Sequence, residues 1–353
     1  MLMNTLFNEA RQLLESLIAT PRTSRNEGDA ANLLSAHLTS LGIAHSREAN
    51  NIWAIAPDYA DSRPTLLLNA HIDTVRPSAS WHRDPFTPTL EGDRLYGLGS
   101  NDDGASLVAL LAAFRVLSSR TRTYNIIWLA SAEEEVSGRD GVERTLPLLP
   151  HIDVALVGEP TGMQPAIAEK GLMVLDCVAH GRAGHAARDE GDNALYHAVD
   201  DIQLLRSLKL PRQTELLGPV RMTTTIINAG TQHNVIPDEC RFTVDVRSNE
   251  CYTNPEILDI VRQTISSDVT PRSTRLGSSH IDIGHPLVRR AVDLGRTPFG
   301  SPTLSDQALM PFPSMKMGPG QSSRSHTADE FICLSELKTA IDDYVTLLDG
   351  LEL

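Results

Sequence analysis

Basic residues are in short supply: 31 Lys and Arg face 45 Asp and Glu, giving a formal net charge of -14 over 353 residues. Nucleic acid and anionic membrane would both be repelled, so neither is expected as a partner. Cysteine is scarce as well. Cys177, Cys240, Cys251 and Cys333 are scattered, with no CxxC pair and no dense framework, and read as buried reduced thiols of a cytoplasmic protein. No stretch approaches the roughly 18–20 apolar residues that a membrane span requires. The first segment, Met1 to Ala19, reads as an amphipathic helix carrying Glu9, Arg11 and Glu15. It has neither the apolar core nor the small-residue cleavage site of a signal peptide. Internal repeats, low-complexity segments and nucleophilic Ser or Cys motifs are also missing.

What is present is an ordinary globular composition, 41% hydrophobic and 22% charged, in a chain long enough for two domains. A second helix is expected over Asp29 to Leu41. Compact apolar runs follow at Thr65–Asn69, Asn125–Ala130 and Asp153–Val157, with a buried helix from Ser106 to Leu117. Continuous apolar strands alternating with helices predict an α/β layer whose central sheet is mostly parallel. The texture changes after Lys170. Strands are expected at Leu172–Val178 and Thr223–Ile227, and a helix from Asn193 to Leu208. Residues 240–247 alternate cleanly, with Cys240, Phe242, Val244 and Val246 on one face, as in an antiparallel sheet with one wet side. Another helix follows at Pro255 to Ile265, with Asn254 as its expected cap. The division expected is a first domain of residues 1–170 and 282–353 and an inserted α+β unit of residues 171–281. A last helix covers Ser335 to Leu348.

Three polar clusters each stand immediately after one of the apolar strands: Asn69-Ala70-His71-Ile72-Asp73, Ser131-Ala132-Glu133-Glu134-Glu135 and Gly158-Glu159-Pro160-Thr161. Ligands of open α/β sheets bind beyond the carboxyl ends of the strands, so these clusters converge in space despite their separation in sequence. A fourth, Gly99-Ser100-Asn101-Asp102-Asp103-Gly104, precedes the Ser106 helix. A fifth, Ser325-His326-Thr327-Ala328-Asp329-Glu330, lies near the C-terminus. Taken singly, each has an ordinary reading as a loop histidine, a charged turn or a proline turn. Taken together they form a mixed nitrogen and oxygen donor set suited to zinc or a similar first-row metal. Divalent cations would relieve the repulsion of so many carboxylates, and a glutamate left over beside the ligands would serve as a general base.

The order NAHIDTV, GLGSNDDG, SAEEEVSG, VGEPT, SHTADE resembles the zinc-dependent family of acetylornithine deacetylase, succinyl-diaminopimelate desuccinylase, aminoacylase and glutamate-releasing carboxypeptidase. The likeness runs from His71 to Glu330. It implies two zinc ions, with cobalt or manganese able to satisfy similar ligands. By motif, His71 and Glu159 would hold the first metal, Glu135 and His326 the second, and Asp102 would bridge both. Asp73 would orient His71, and Glu134 would be the general base of direct amide hydrolysis. The inserted unit would be a dimerisation or lid domain. There His185 in GRAGHAAR would hold the developing oxyanion, and Asn234 and Arg247 would bind substrate. Gly318 and Gly320 would permit close backbone approach beside the metals. Leu98, Asp103 and Gly104 depart from the common family pattern around Asp102. The activity implied is hydrolysis of a small N-acyl amino acid by a cytoplasmic homodimer. N-acetylornithine, or an N-acyl-ornithine or N-acyl-citrulline analogue in arginine synthesis, comes first. A succinyl-diaminopimelate desuccinylase, then a dipeptidase or aminoacylase, are the alternatives, with a non-catalytic binding relative as the contrasting class. Arg182, Arg188 and Arg324 are candidates to meet a succinyl carboxylate.

Overall fold

The computed structural model describes residues 2–188 and 190–353. The chain forms two compact units. One comprises Met1–Ile167, Ile281–Phe299 and Ser305–Leu353, the other Ala168–His280 and Gly300–Leu304. The short 300–304 segment thus groups with the second unit, whereas the sequence reading put it with the first.

The first unit is built on a sheet whose middle is parallel. Strand Asn125–Ser131 runs parallel to Thr65–His71, which runs parallel to Val154–Val157, which in turn runs parallel to Ser314–Lys316. Antiparallel pairing flanks this middle: strand Asn51–Ile55 on one side, and Ala166 opposite Lys316 on the other. Every residue of Thr65–His71 and Asn125–Ser131 is buried. The reason is that both sheet faces are covered, so the pleat sends alternate side chains into two different cores. Leu66, Leu68, Ile126, Trp128 and Leu156 join the larger core. Leu67, Ile127, Leu129 and Ala155 join the smaller one on the opposite face. Helices Leu2–Ile18, Ala105–Ser118 and Leu334–Leu348 supply the larger core. In the first of them Leu6, Ala10, Leu13, Leu14 and Leu17 make one apolar stripe at helical spacing. The middle helix has Arg115 and Ser118 as its only residues that are not buried.

The second unit holds a four-stranded antiparallel sheet in the order Arg221–Ala229, Glu239–Arg247, Met173–His180, Asp268–Pro271. Its inward face, Met173, Leu175, Cys177, Cys240, Phe242, Val244 and Val246, packs with residues of helices Ala194–Ser207 and Asn254–Thr264. The expected cap of the second of these helices is displaced by one residue. Thr253 is the cap, because Thr253-Asn254-Pro255-Glu256 forms a reciprocal capping box. The Asn254 side chain instead donates to the carbonyls of Leu172, Thr274 and Leu276 at 3.3, 3.2 and 2.7 Å, tying three segments together.

These roles are separable by mutation. Thr253→Ala is expected to cost about 1 kcal/mol in denaturant unfolding, the usual loss for a cap. Asn254→Ala is expected to cost about 2 kcal/mol, because it orphans buried carbonyls. A neutral Asn254→Ala would contradict the second assignment.

Candidate metal centre

Each polar cluster is delivered by a strand end or a turn of the first unit. His71 is the last residue of Thr65–His71, and Glu159 follows Val154–Val157 by two residues. Glu134 and Glu135 open a single helical turn after Asn125–Ser131, entered through Glu133 at φ 56°. Asp102 lies in the turn Ser100–Gly104 that leads into helix Ala105–Ser118, and its peptide bond to Asp103 is cis. His326 follows the turn Ser322–Arg324 and also has positive φ, 58°.

The side chains converge. The two oxygens of Asp102 face different histidines: Oδ1 is 3.1 Å from His71 Nε2, and Oδ2 is 3.6 Å from His326 Nε2. His326 Nε2 lies 2.8 Å from Glu135 Oε2, and His71 Nε2 lies 4.0 Å from Glu134 Oε2. Potential ligand atoms of His71, Glu134 and Glu159 are all within 4.8 Å of one another, as are those of His71, Asp102 and Glu135. Neighbouring donors around a tetrahedral ion with bonds of about 2.0–2.1 Å are separated by about 3.3 Å. The observed spacings bracket that value, and both imidazole Nε2 atoms point into the cluster.

Electrostatics says the same. Burial pushes Glu134 and Glu159 well above the usual carboxylate range. For Glu134 the nearby Glu159, Asp306 and Glu135 add to the effect, and for Glu159 Asp102 and Asp103 do. Burial opposes the charge of His71, yet Asp102 and Asp73 hold its imidazolium well above the usual range. These groups therefore retain protons that divalent cations would displace, as metal sites do on loading. The residues fit a metal centre.

Asp73 is fully buried and acts mainly on the backbone beside it. Its carboxylate accepts from the amides of Glu134 at 3.0 Å and Glu135 at 3.2 Å, and from the Ser24 hydroxyl at 2.7 Å. His71 Nδ1 is closer to the Asp73 carbonyl, 3.0 Å, than to its carboxylate, 3.5 Å. An Nδ1–H donated there leaves the Nε2 lone pair for a metal. Gly318 has no room for a side chain, since a Cβ would sit 2.6 Å from the Glu159 carbonyl oxygen and 2.5 Å from Ser106 Oγ.

Several residues beside the cluster were given no role by the sequence reading: Arg22 and Asp306 gave no signal, and Asn101, Asp103 and Glu330 stood within its polar clusters unassigned. Asp306 is buried, accepts from Asn69 Nδ2 at 3.0 Å and from Ser131 Oγ, and is pushed up to about 6 by burial. Asp103 is fully buried, and burial raises it to about 8. Asn101 is buried within the Asp102 turn, and Arg22 and Glu330 are buried against it. Their partners are distant in sequence, so local pattern does not reveal them.

The substrate residues expected in the inserted unit lie in the second unit. Strand Gly184–His185 pairs with Val235–Ile236, and Ala186 N–H donates to the Asn234 carbonyl at 3.0 Å, so His185 and Asn234 are neighbours. His185 Nδ1 accepts from the Ala187 amide at 3.1 Å. Arg247 is paired through Nε and Nη2 with Asp245 at 2.9 and 3.2 Å. Of the three arginines considered for a succinyl group, Arg324 is held bidentately by Glu336 at 2.6 and 3.1 Å and stacks on Phe331. Arg182 donates to the Glu190 carbonyl, and Arg188 lies 4.0 Å from Glu190.

Two histidines and a group of carboxylates brought together by strand ends and turns form a candidate metal centre, and the sequence comparisons agree. The chain belongs to peptidase family M20/M25/M40, whose profile matches residues 67–350, and it is a metal-dependent amidohydrolase. It is 31% identical to the succinyl-diaminopimelate desuccinylase of Dinoroseobacter shibae, over 71% of this chain and 70% of that one. It is 27% identical to the acetylornithine deacetylase of Proteus mirabilis, over 91% of both. Among solved structures, the fold matches aminopeptidase PepT from Bacillus cereus with a TM-score of 0.80 at 18% identity, covering 97% of this chain and 98% of that one. It also matches a dinuclear metal-binding peptidase of the M20 family from Bacillus subtilis with a TM-score of 0.74 at 15% identity, covering 98% of both. Among the described residues no helix is long and apolar enough to cross a membrane.

Proposed function

We propose that this enzyme hydrolyses the amide bond of an N-acyl amino acid at two zinc ions, with N-acetylornithine, or a close N-acyl-ornithine or N-acyl-citrulline analogue in arginine biosynthesis, as its substrate. The carrying observation is Asp102, whose two oxygens face His71 and His326 separately, as a carboxylate shared between two ions would. His71 and Glu159 complete the first ligand set, and Glu135 and His326 the second. Cobalt or manganese would satisfy the same donors.

When bound, the ions supply Lewis acidity toward the acyl carbonyl and lower the pKa of the attacking water. Glu134 takes the water proton and returns it to the leaving amine, so one carboxyl serves as base and then acid. Asp73 fixes Glu134 by accepting its backbone N–H. His185 has its Nδ1 committed as acceptor, which leaves the proton on Nε2, free to be donated to a developing oxyanion. Asn234 beside it and the Arg247 guanidinium are the substrate contacts, the latter suited to an α-carboxylate.

Near-complete coverage of acetylornithine deacetylases supports the acetyl substrate. So does the engagement of Arg324 with Glu336, which withdraws one guanidinium from a succinyl carboxylate. The 31% identity to a desuccinylase supports succinyl-diaminopimelate as the second reading. We place the enzyme in the cytoplasm, which suits four free cysteines, and as a homodimer formed through the inserted unit. Support for the dimer is the strand Arg221–Ala229, which ends its sheet and leaves Ile226 51% and Ile227 44% exposed.

Amine release from N-acetyl- and N-succinyl-ornithine, their citrulline counterparts, succinyl-diaminopimelate and dipeptides, followed by mass spectrometry, tests the substrate. Release is expected to be greatest from N-acetylornithine and to stop with chelator. In Glu134→Gln, kcat is expected to fall by about 10²–10⁴-fold, the usual weight of a general base, with metal content unchanged. No turnover of any of these compounds by zinc-loaded protein would overturn the assignment and favour a binding role. Light scattering at micromolar concentration is expected to give a dimer; a monomer would remove that part.

A further inference from the structure

The Asp102 turn is held from behind by two residues that the hydrolytic mechanism does not use. Glu330 is 2% exposed, yet its carboxylate has three backbone donors. Oε2 accepts from the Gly99 amide at 2.9 Å, and Oε1 accepts from those of Asn101 at 2.8 Å and Asp102 at 2.9 Å. Three backbone donors converging on one buried carboxyl group leave the turn little freedom. The acceptor therefore grips the amide of the very residue whose side chain faces both histidines.

Arg22 grips the same turn from the other side. It too is 2% exposed, and its fork goes to carbonyl groups: Nη2 to Gly99 at 2.9 Å, Nε to Ile72 at 2.9 Å and Nη1 to Leu17 at 3.3 Å. Ile72 directly follows His71, so one rigid guanidinium spans the backbone that carries His71 and the backbone that carries Asp102. Gly99 has φ +72° and no space for a side chain, since a Cβ would lie 2.4 Å from Arg22 Nη2. Asn101 extends the brace toward His326. Its Oδ1 accepts from the Gln321 amide at 3.0 Å, and its Nδ2 donates to the Gln321 carbonyl at 3.1 Å and Ser325 Oγ at 3.3 Å.

Building on the metal-site reading above, we infer that Glu330 and Arg22 are positioning residues of the centre: they fix Asp102 against His71 before any ion binds, and so set metal affinity through Asp102. A loose Asp102 would have to be ordered on binding, and that cost would come out of the affinity. Residues that orient ligands in this way change metal affinity by about 10–100-fold when mutated.

The test is Co²⁺ affinity of the metal-free enzyme, measured by competition with a chromophoric chelator, in wild type, Glu330→Gln, Arg22→Lys, Asp102→Asn and the Glu330→Gln/Asp102→Asn double variant. A glutamine offers one carbonyl oxygen and turns an N–H toward donors, while a lysine keeps the charge and loses the fork. Glu330→Gln and Arg22→Lys are each expected to bind Co²⁺ about 10–100-fold more weakly. In the Asp102→Asn background, Glu330→Gln is expected to add less than about twofold, because coupled residues are not additive. Full additivity, wild-type affinity in Glu330→Gln, or a Glu330→Gln chain that does not fold would each overturn the inference and assign Glu330 to the fold. Unchanged affinity in Asp102→Asn alone would instead overturn the metal-site reading, so the two failures are distinguishable.

Discussion

Repulsion among buried carboxylates is the constraint around which this molecule is organised. Asp73, Asp102, Glu134, Glu135 and Glu159 meet at one end of the parallel sheet, with Asp103, Asp306 and Glu330 close behind. Two like charges 4 Å apart repel by about 4 kcal/mol at an effective dielectric of 20. Several such pairs rival the roughly 5–15 kcal/mol by which a folded domain exceeds its unfolded state. The chain answers in three ways. Burial leaves protons on Glu134 and Glu159. Backbone amides are turned onto Asp73 and Glu330. Arg22 is buried close by as a fixed positive charge, lowered to about 10 by its burial yet still protonated at neutral pH. Divalent cations would complete the compensation, so stability and metal binding are expected to be linked.

The sheet makes this tolerable by separating duties. The strands Thr65–His71 and Asn125–Ser131 are apolar on both faces, so two cores anchor them whatever happens at their ends. Polar residues are confined to the last positions and the turns beyond them. Adjacent parallel strands lie about 4.8 Å apart, so successive strand ends bring His71, Glu134 and Glu159 into one cluster. The turn holding Asp102 has no strand to steady it, and that is where Glu330, Arg22 and Asn101 concentrate.

How far the sequence revealed this depends on distance along the chain. The runs at 65–69, 125–130 and 153–157 could be read because burial on both faces leaves uninterrupted apolar residues. The alternation of Cys240, Phe242, Val244 and Val246 could be read because the second sheet covers one face only. The family resemblance, carried by motifs from His71 to Glu330, is confirmed by the profile match. Other features were out of reach. Strand Ser314–Lys316 has three residues and no pattern, although it pairs in the middle of the sheet. The helix cap was expected at Asn254 rather than Thr253 because Asn254-Pro255 also looks like a helix start. Arg22 acts on Gly99, 77 positions away, and Asp306 on Asn69, 237 positions away. No local spacing encodes such pairs.

The most direct test of the central claim is anomalous X-ray diffraction from crystals grown with zinc or cobalt. Two anomalous peaks are expected, one beside His71 and one beside His326, with the Asp102 carboxylate between them. A single peak, or peaks away from Asp102, would contradict a carboxylate cluster built to share two cations.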